Sequence, residues 1–355
     1  MQGPTTWSEL EARLSGRQPQ SSSPSMVRPV VVPEPDRTPT GGTPRPVVPY
    51  AELHCHSNFS FLDGASHPEE LAEEAHRLGL TALAVTDHNG LYGVVRFAEA
   101  ARAVGLPTVF GSEITVQSST GPQHLVVLAD GTAGYARLAR ALSLAQLAGS
   151  KGDPRCTMPD LAEVGAGHWW VLTGCRQGAV PAALIEHGPS VALRELQKLI
   201  TAFGRDRVLV ELWDHGDPLD TARNDAMAEL AARADVQCVA TNNVHYATPS
   251  ARRLATAIAA VNQRCSLDEI DHCLPAAATA HLRSGAEQAR RFARYPGVID
   301  LAAEIGQAAA FDLSLVAPKL PPYPCPDGLT EMQFLRRLTE EGARRRYGER
   351  PQSGE

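Results

Sequence analysis

The sequence predicts an α/β fold, a parallel sheet rolled into a distorted barrel and followed by a helical region. Three observations lead there. Between residues 50 and 250, short apolar runs alternate with amphipathic segments, the pattern of strand–helix units. The runs are nearly continuous in apolar residues, as strands covered on both faces are. Seven or so are present and none reads as an edge strand, which favours a closed barrel over an open sheet.

Each element has its own local signature. AELHC is a short strand starting after Tyr50. Ser66-His67-Pro68-Glu69 has the form of a capping box opening the helix PEELAEEAHRLG, in which Leu71, Ala75 and Leu78 share one face. TALAVT (81–86) reads as a buried strand, VVRFAEAARAVG as a helix and TVFGSEITV (108–116) as the next strand. HLVVLAD, HWWVLTG (168–174), RVLVEL (207–212) and VQCVATNN (236–243) are further strands, with GYARLARALSLAQLAG and residues 219–234 as helices. Trp169 and Trp170 are expected in the barrel wall.

The flanks differ in character. Residues 1–49 hold ten of the 27 prolines; such a segment buries too little apolar surface to offset its ordering entropy and is expected to be disordered, apart from a short helix over 7–16. Beyond 250 the pattern turns helical in ARRLATAIAAVNQ, GAEQARRFARY and LTEMQFLRRLTEEGARRRYG. The expected organisation is therefore a disordered segment 1–49, a barrel domain 50–250 and a partial helical unit 251–355. That fits 355 residues, a length suited to two domains or to one barrel with extensions.

Composition narrows the function. The net charge is −7, and residues 50–280 carry 17 basic against 26 acidic groups. A chain gripping DNA by its phosphates more often has a basic excess, whereas an acidic middle suits a site that collects cations. The sequence has no apolar stretch long enough to span a membrane and no signal-peptide pattern at its start. Seven cysteines, scattered and without a CxxC pair, do not form a disulfide framework, and a cytoplasmic location follows.

The chemistry resides in where the polar residues fall. His54 and His56 are two apart on the first strand, so they project to one face. Asp63 lies in the following loop, Asp87 and His88 end the second strand, and Glu113 sits in GSE. His124 opens HLVVL, Cys175 ends VLTGC and His245 follows TNNV. Strand ends of a parallel barrel share one mouth, where catalytic groups gather, and imidazole, carboxylate and thiolate are the ligands of zinc and transition metals. Singly, each residue has a structural reading: a strand-end histidine pair, a cap, a small buried thiol. Their recurrence in one register points to a multinuclear metal site.

The motifs ELHCHSNFSFLDG, TDHNGLYGVVRFAEAA, GSEITV, HLVVLA, VLTGC, ELWDHGDP and ATNNVHYATP closely resemble the polymerase-and-histidinol-phosphatase (PHP) domain of bacterial C-family DNA polymerases. SNFSFLDGASHPEELAEEA, TNNVHYATP and SLDEID resemble the error-prone, damage-associated type of polymerase III alpha subunit. The match covers about residues 50–350 and implies a distorted seven-stranded (β/α) barrel carrying up to three metal ions, of Zn, Mn or Fe. The ligand positions implied are His54, His56, Asp63, His88, Glu113, His124, Cys175, Asn243 and His245. Asn243 departs from the family's Asp-Val-His motif, replacing a carboxylate with a neutral amide and weakening one ion position; Asp87 or Asp214 are the candidates to compensate.

The resemblance also implies a function: the PHP-bearing start of an error-prone polymerase linked to DNA repair and translesion synthesis, with DNA, a sliding clamp and translesion proteins as partners. No Asp-x-Asp pair of a polymerase palm, which would hold Mg, is found, so residues 251–355 are expected to be only the start of a palm and the chain a scaffold without polymerase activity of its own. The alternatives are a metal-dependent phosphoesterase acting on DNA 3′ ends or small phosphate esters, and a recruiting module for polymerase partners. The basic ARRRYGER is expected to be a solvated helix end.

Overall fold

The computed structural model describes residues 48–118, 121–270, 274, 279–316, 323–326 and 328–348. The proline-rich start and the short helix expected over 7–16 lie outside the described residues. Seven strands form one sheet in chain order: β1 (Ala51–Glu52), β2 (Ala82–Val85), β3 (Thr108–Ser118), β4 (Gly121–Ala129), β5 (Trp169–Leu172), β6 (Val208–Leu212) and β7 (Gln237–Ala240). Its two ends meet beyond β1 and β7 in a parallel bridge between Cys55 and Val244. There the His56 N–H donates to the Val244 carbonyl and the Val244 N–H to the His54 carbonyl, both at 2.8 Å. The sheet thus curls into the expected barrel.

The sheet is not wholly parallel. β4 runs antiparallel to both β3 and β5, whereas the other neighbours are parallel. A parallel crossover needs a dozen or more residues, and the link between β3 and β4 is only residues 119–120. The reversal matters for the site. It brings the beginning of β4, rather than its end, to the mouth, and His124 pairs with Thr115 there.

Helices α1 (Pro68–Leu78), α2 (Val94–Val104), α3 (Gly131–Ala148), α4 (Met158–Gly165), α5 (Ala179–His187), α6 (Pro189–Phe203) and α7 (Asp220–Ala234) connect the strands. β2 and β6 are buried at every position, as the unbroken apolar run of β2 requires and with Glu211 the one polar residue of β6. Trp169 is fully buried and donates its indole N–H to the Gly134 carbonyl at 2.9 Å. Trp170 is half-buried under the Arg207 guanidinium, 4.7 Å from the ring centroid. The capping box sits one residue later than the sequence suggests. His67 is the N-cap, and its N–H donates to Glu70 Oε2 at 2.8 Å. Pro68 takes the first helical position, where a missing N–H costs nothing, and the Ser66 hydroxyl instead accepts from the Ala247 N–H at 3.0 Å.

Beyond the barrel lie α8 (Arg252–Gln263), α9 (Gly285–Arg291), α10 (Val298–Ala309) and α11 (Glu331–Tyr347). α10 packs on β1, β2 and β7. Its Gly306 permits this, since a Cβ there would come within 2.3 Å of the Ala51 Cβ. α11 has no buried residue. Among the described residues no helix is long and apolar enough to cross a membrane.

Candidate metal centre

The strand ends deliver the expected side chains to one mouth. His54 and His56 follow β1 and are fully buried. The His54 and His56 Nε2 atoms lie 3.1 Å apart, and each is 3.0 Å from Glu113 Oε2. Asp63, in the turn before α1, faces three imidazoles. Its Oδ2 is 3.8 Å from His56 Nδ1, 3.3 Å from His88 Nε2 and 3.1 Å from His245 Nδ1. The other Glu113 oxygen meets His124 Nδ1, and the Cys175 Sγ is 3.4 Å from that oxygen and 3.6 Å from His124. Rings stack as well, with His56 centroids 4.6 Å from His88 and 4.9 Å from His245.

Three overlapping triads result: His54, His56 and Glu113; His56, Asp63 and His88; His88, Glu113 and His124. Within each, the ligand atoms lie within 4.8 Å of one another. Ligands about 2.1 Å from a tetrahedral ion sit roughly 3.4 Å apart, close to the spacing in the first triad. The donor set therefore fits divalent ions, and His56, His88 and Glu113 are each common to two triads.

Asn243 stands apart. It adopts φ 42°, a left-handed conformation that asparagine tolerates. It lines the same pocket of about 320 Å³ as Asp63, Glu113, Cys175 and His245. Its Oδ1 is buried without a hydrogen-bond partner. Neither suggested compensating carboxylate is free. Asp87 accepts from the Ser57 N–H, the Ser57 hydroxyl and the Ser60 hydroxyl, all at 2.7 Å. Asp214 accepts from the Gly216 N–H at 2.7 Å and pairs with Arg291 at 3.3 Å.

Glu211 was not legible as part of this site. It is buried on β6, and its Oε1 lies 2.7 Å from His54 Nδ1 and accepts from the Thr241 hydroxyl. This contact assigns the Nδ1 proton to the Glu211 side, leaving Nε2 for Glu113 and His56, the arrangement that orients metal-binding histidines. The available signal was a glutamate interrupting the apolar run VLVEL. The rim adds Arg176, stacked over Trp213 at 5.1 Å and paired with Asp217 and Asp220 at 3.1 and 3.3 Å.

Electrostatics separates the two histidines of the first strand. Burial opposes charge on both. In His54 the Glu211 and Glu113 carboxylates outweigh it and raise the pKa well above the ordinary value. His56 has only the shared Glu113 and the more distant Asp63, so burial wins and lowers it to about 3. Burial would raise Glu113 and Asp63, but the surrounding imidazoles hold both well below the usual carboxylate range. The Cys175 thiol is pushed well up by burial and by Glu113. Without ions, the mouth thus holds the Asp63 and Glu113 carboxylates, a charged imidazole at His54 and a neutral thiol, and at His88 the same two carboxylates outweigh burial and raise the pKa.

Residues 52–215 match the PHP domain model. The error-prone DNA polymerase of Mycolicibacterium paratuberculosis is 50% identical over 98% of this chain and 33% of its own length. That of Cutibacterium acnes is 49% identical over 98% of this chain and 32% of its own. The chain thus spans about a third of these curated relatives. Among solved structures, an amidohydrolase from Chromobacterium violaceum is 20% identical with a TM-score of 0.41, covering 56% of this chain and 88% of its own.

Proposed function

We propose that this chain, whose residues 52–215 match the PHP domain model and which is 50% identical to an error-prone DNA polymerase over a third of that protein's length, is a metal-binding scaffold module of such a polymerase. In this reading His54, His56 and Glu113 hold one divalent ion, with Asp63, His88, His124, Cys175 and His245 completing further positions. The module acts in the cytoplasm, in translesion synthesis after DNA damage. DNA, a sliding clamp and translesion proteins are engaged through the assembled polymerase, whose Mg-dependent transfer is carried out elsewhere.

The observation that carries the reading is the convergence on one mouth of eight donor side chains, brought there by six strands or the segments next to them and by the turn after β1, with Glu211 orienting His54 from behind. An ion bound there neutralises the Asp63 and Glu113 charges and supplies Lewis acidity. The side chains themselves act as cross-links. His54 and His56 come from just after β1, Glu113 from β3, His124 from β4 and His245 from beyond β7, so shared coordination pins opposite walls of the barrel. Ion identity follows from availability as much as affinity among Zn, Mn and Fe.

A second reading, hydrolysis of phosphate esters at DNA 3′ ends, is favoured by the open pocket of about 320 Å³ beside the cluster. Against it stand the neutral Asn243 and an Arg176 already paired with two aspartates. Thermal melting with and without Zn or Mn, alongside release of 3′-terminal nucleotides from a labelled oligonucleotide, separates the two. The scaffold reading expects a higher melting temperature with ions, since a ligand at 100 times its Kd adds about 2.7 kcal/mol, and no release above a chelator control. Release abolished by His54→Ala would move the conclusion to hydrolysis. Melting indifferent to every ion would end both.

A further inference from the structure

We infer that Arg283 is a positioning residue for the metal centre, locking a strap after the barrel onto the loop that carries Asn243 and His245. The inference rests on the metal-binding reading above.

Arg283 is 1% exposed, a guanidinium taken almost wholly out of water. Its Nη1 donates to the Asp214 carbonyl at 2.9 Å and to Asn242 Oδ1 at 2.7 Å, and its Nη2 to the Thr279 carbonyl at 2.9 Å. Its carboxylate neighbour is Glu287, 3.4 Å from Nε. Burying a charge in this way is costly unless the partners are held in place, and here two backbone carbonyls and one amide oxygen accept from it, drawn from three separate segments. A planar fork reaches such acceptors together, which a lysine cannot do.

What the fork holds is the ligand loop. Asn242 immediately precedes Asn243, and its groups are engaged throughout. Its N–H donates to Glu52 at 3.1 Å, its Nδ2 donates to the Thr279 and His281 carbonyls at 2.8 and 2.6 Å, and its carbonyl lies 2.5 Å from His215 Nε2. The strap then runs beside the ligands. The His245 and Tyr246 N–H groups donate to the Ala280 carbonyl at 2.9 and 3.2 Å, and the Leu282 N–H donates to the Ala247 carbonyl at 3.2 Å. Tyr246 and His281 form a parallel bridge. His245 lies 3.1 Å from Asp63, so displacement of the strap moves one imidazole away from the position it shares with Asp63. Arg283 touches no donor atom of the cluster; it acts through Asn242 and the strap.

Cobalt(II) titration of the full chain, followed by visible absorption, tests this. The parent is compared with Arg283→Met, Arg283→Lys and, as a control, Arg294→Met, whose exposed side chain pairs with Asp225. Arg283→Met is expected to bind its weakest ion about ten- to a hundredfold less tightly, the usual effect of losing an outer-shell partner. Arg283→Lys should recover part of the loss and Arg294→Met should match the parent. Amide exchange of the parent supplies a readout that needs no variant to fold. Because coupling is reciprocal, cobalt loading must slow exchange at Leu282, which binds no ion. A parent that takes up no cobalt removes the metal reading and this inference with it. A loaded parent with unchanged Leu282 exchange, or a folded Arg283→Met with parental affinity for every ion, overturns the inference alone.

Discussion

The mouth of the barrel and the polar shell behind it are built from the same residue types and differ in what satisfies them. In the mouth, Asp63 and Glu113 face imidazoles, and donor atoms of separate histidines point at one another 3.1 Å apart. In the shell, Asp87 is saturated by one amide and two hydroxyls, and Asn242 by segments on either side. Burial alone therefore does not distinguish a ligand from a strut. A strut has its hydrogen bonds completed by the protein, whereas a ligand is held in place with donor electrons left facing other ligands. Glu211 lies between the two, spending one oxygen on His54 and Thr241.

The comparison can be broken by substitution. The largest effect is expected for Glu211→Ala, which strips His54 of its orienting carboxylate inside the barrel. It should cost about 3 kcal/mol in urea unfolding and lower ion occupancy too. Glu113→Gln should separate the two regions, weakening ion binding by about a hundredfold, or about 2.7 kcal/mol, while the ion-free chain unfolds within about 1 kcal/mol of the parent. Asp87→Ala is the converse. Three donors lose their acceptor, so about 2 kcal/mol of stability should go, with ion stoichiometry by elemental analysis unchanged. If Asp87→Ala emptied the mouth, the division between ligands and struts would fail.

Proton competition sharpens the same contrast. His54 has a raised pKa in the ion-free chain and Cys175 holds its proton, and both must lose protons to coordinate. Ion affinity should therefore rise with pH across the neutral range and fall on acidification, with proton release visible in weakly buffered calorimetry. The smallest effect belongs to Asn243→Asp. Placing a carboxylate in the pocket should tighten the weakest ion by about tenfold, or about 1.4 kcal/mol, read as a shift in the last phase of a chelator competition.

Much of this was legible in the sequence. The buried strands announced themselves as nearly continuous apolar runs, and the donors of the mouth as polar residues in or next to them. The antiparallel β4 was hidden in a short gap: with only residues 119–120 between it and β3, no crossover helix can fit. The capping box shifted because Pro68 prefers the first helical position to the one after it. Glu211, Asn242 and Arg283 were not legible because their partners lie far along the chain, His54 being 157 residues from Glu211 and Arg283 41 from Asn242. Nothing in their local sequence announces a partner so distant. The helix α6 carries a clear apolar face at Ala192, Leu196, Leu199 and Phe203, yet it takes no part in the site.

The most direct test of the account is the metal content of the purified full chain, measured by elemental mass spectrometry after exhaustive desalting and again after reconstitution with Zn or Mn. The account predicts about two divalent ions per chain, with at least one retained before reconstitution and lost in Glu113→Gln. A chain that holds none, before or after reconstitution, would show that the mouth is a polar strut like the shell behind it.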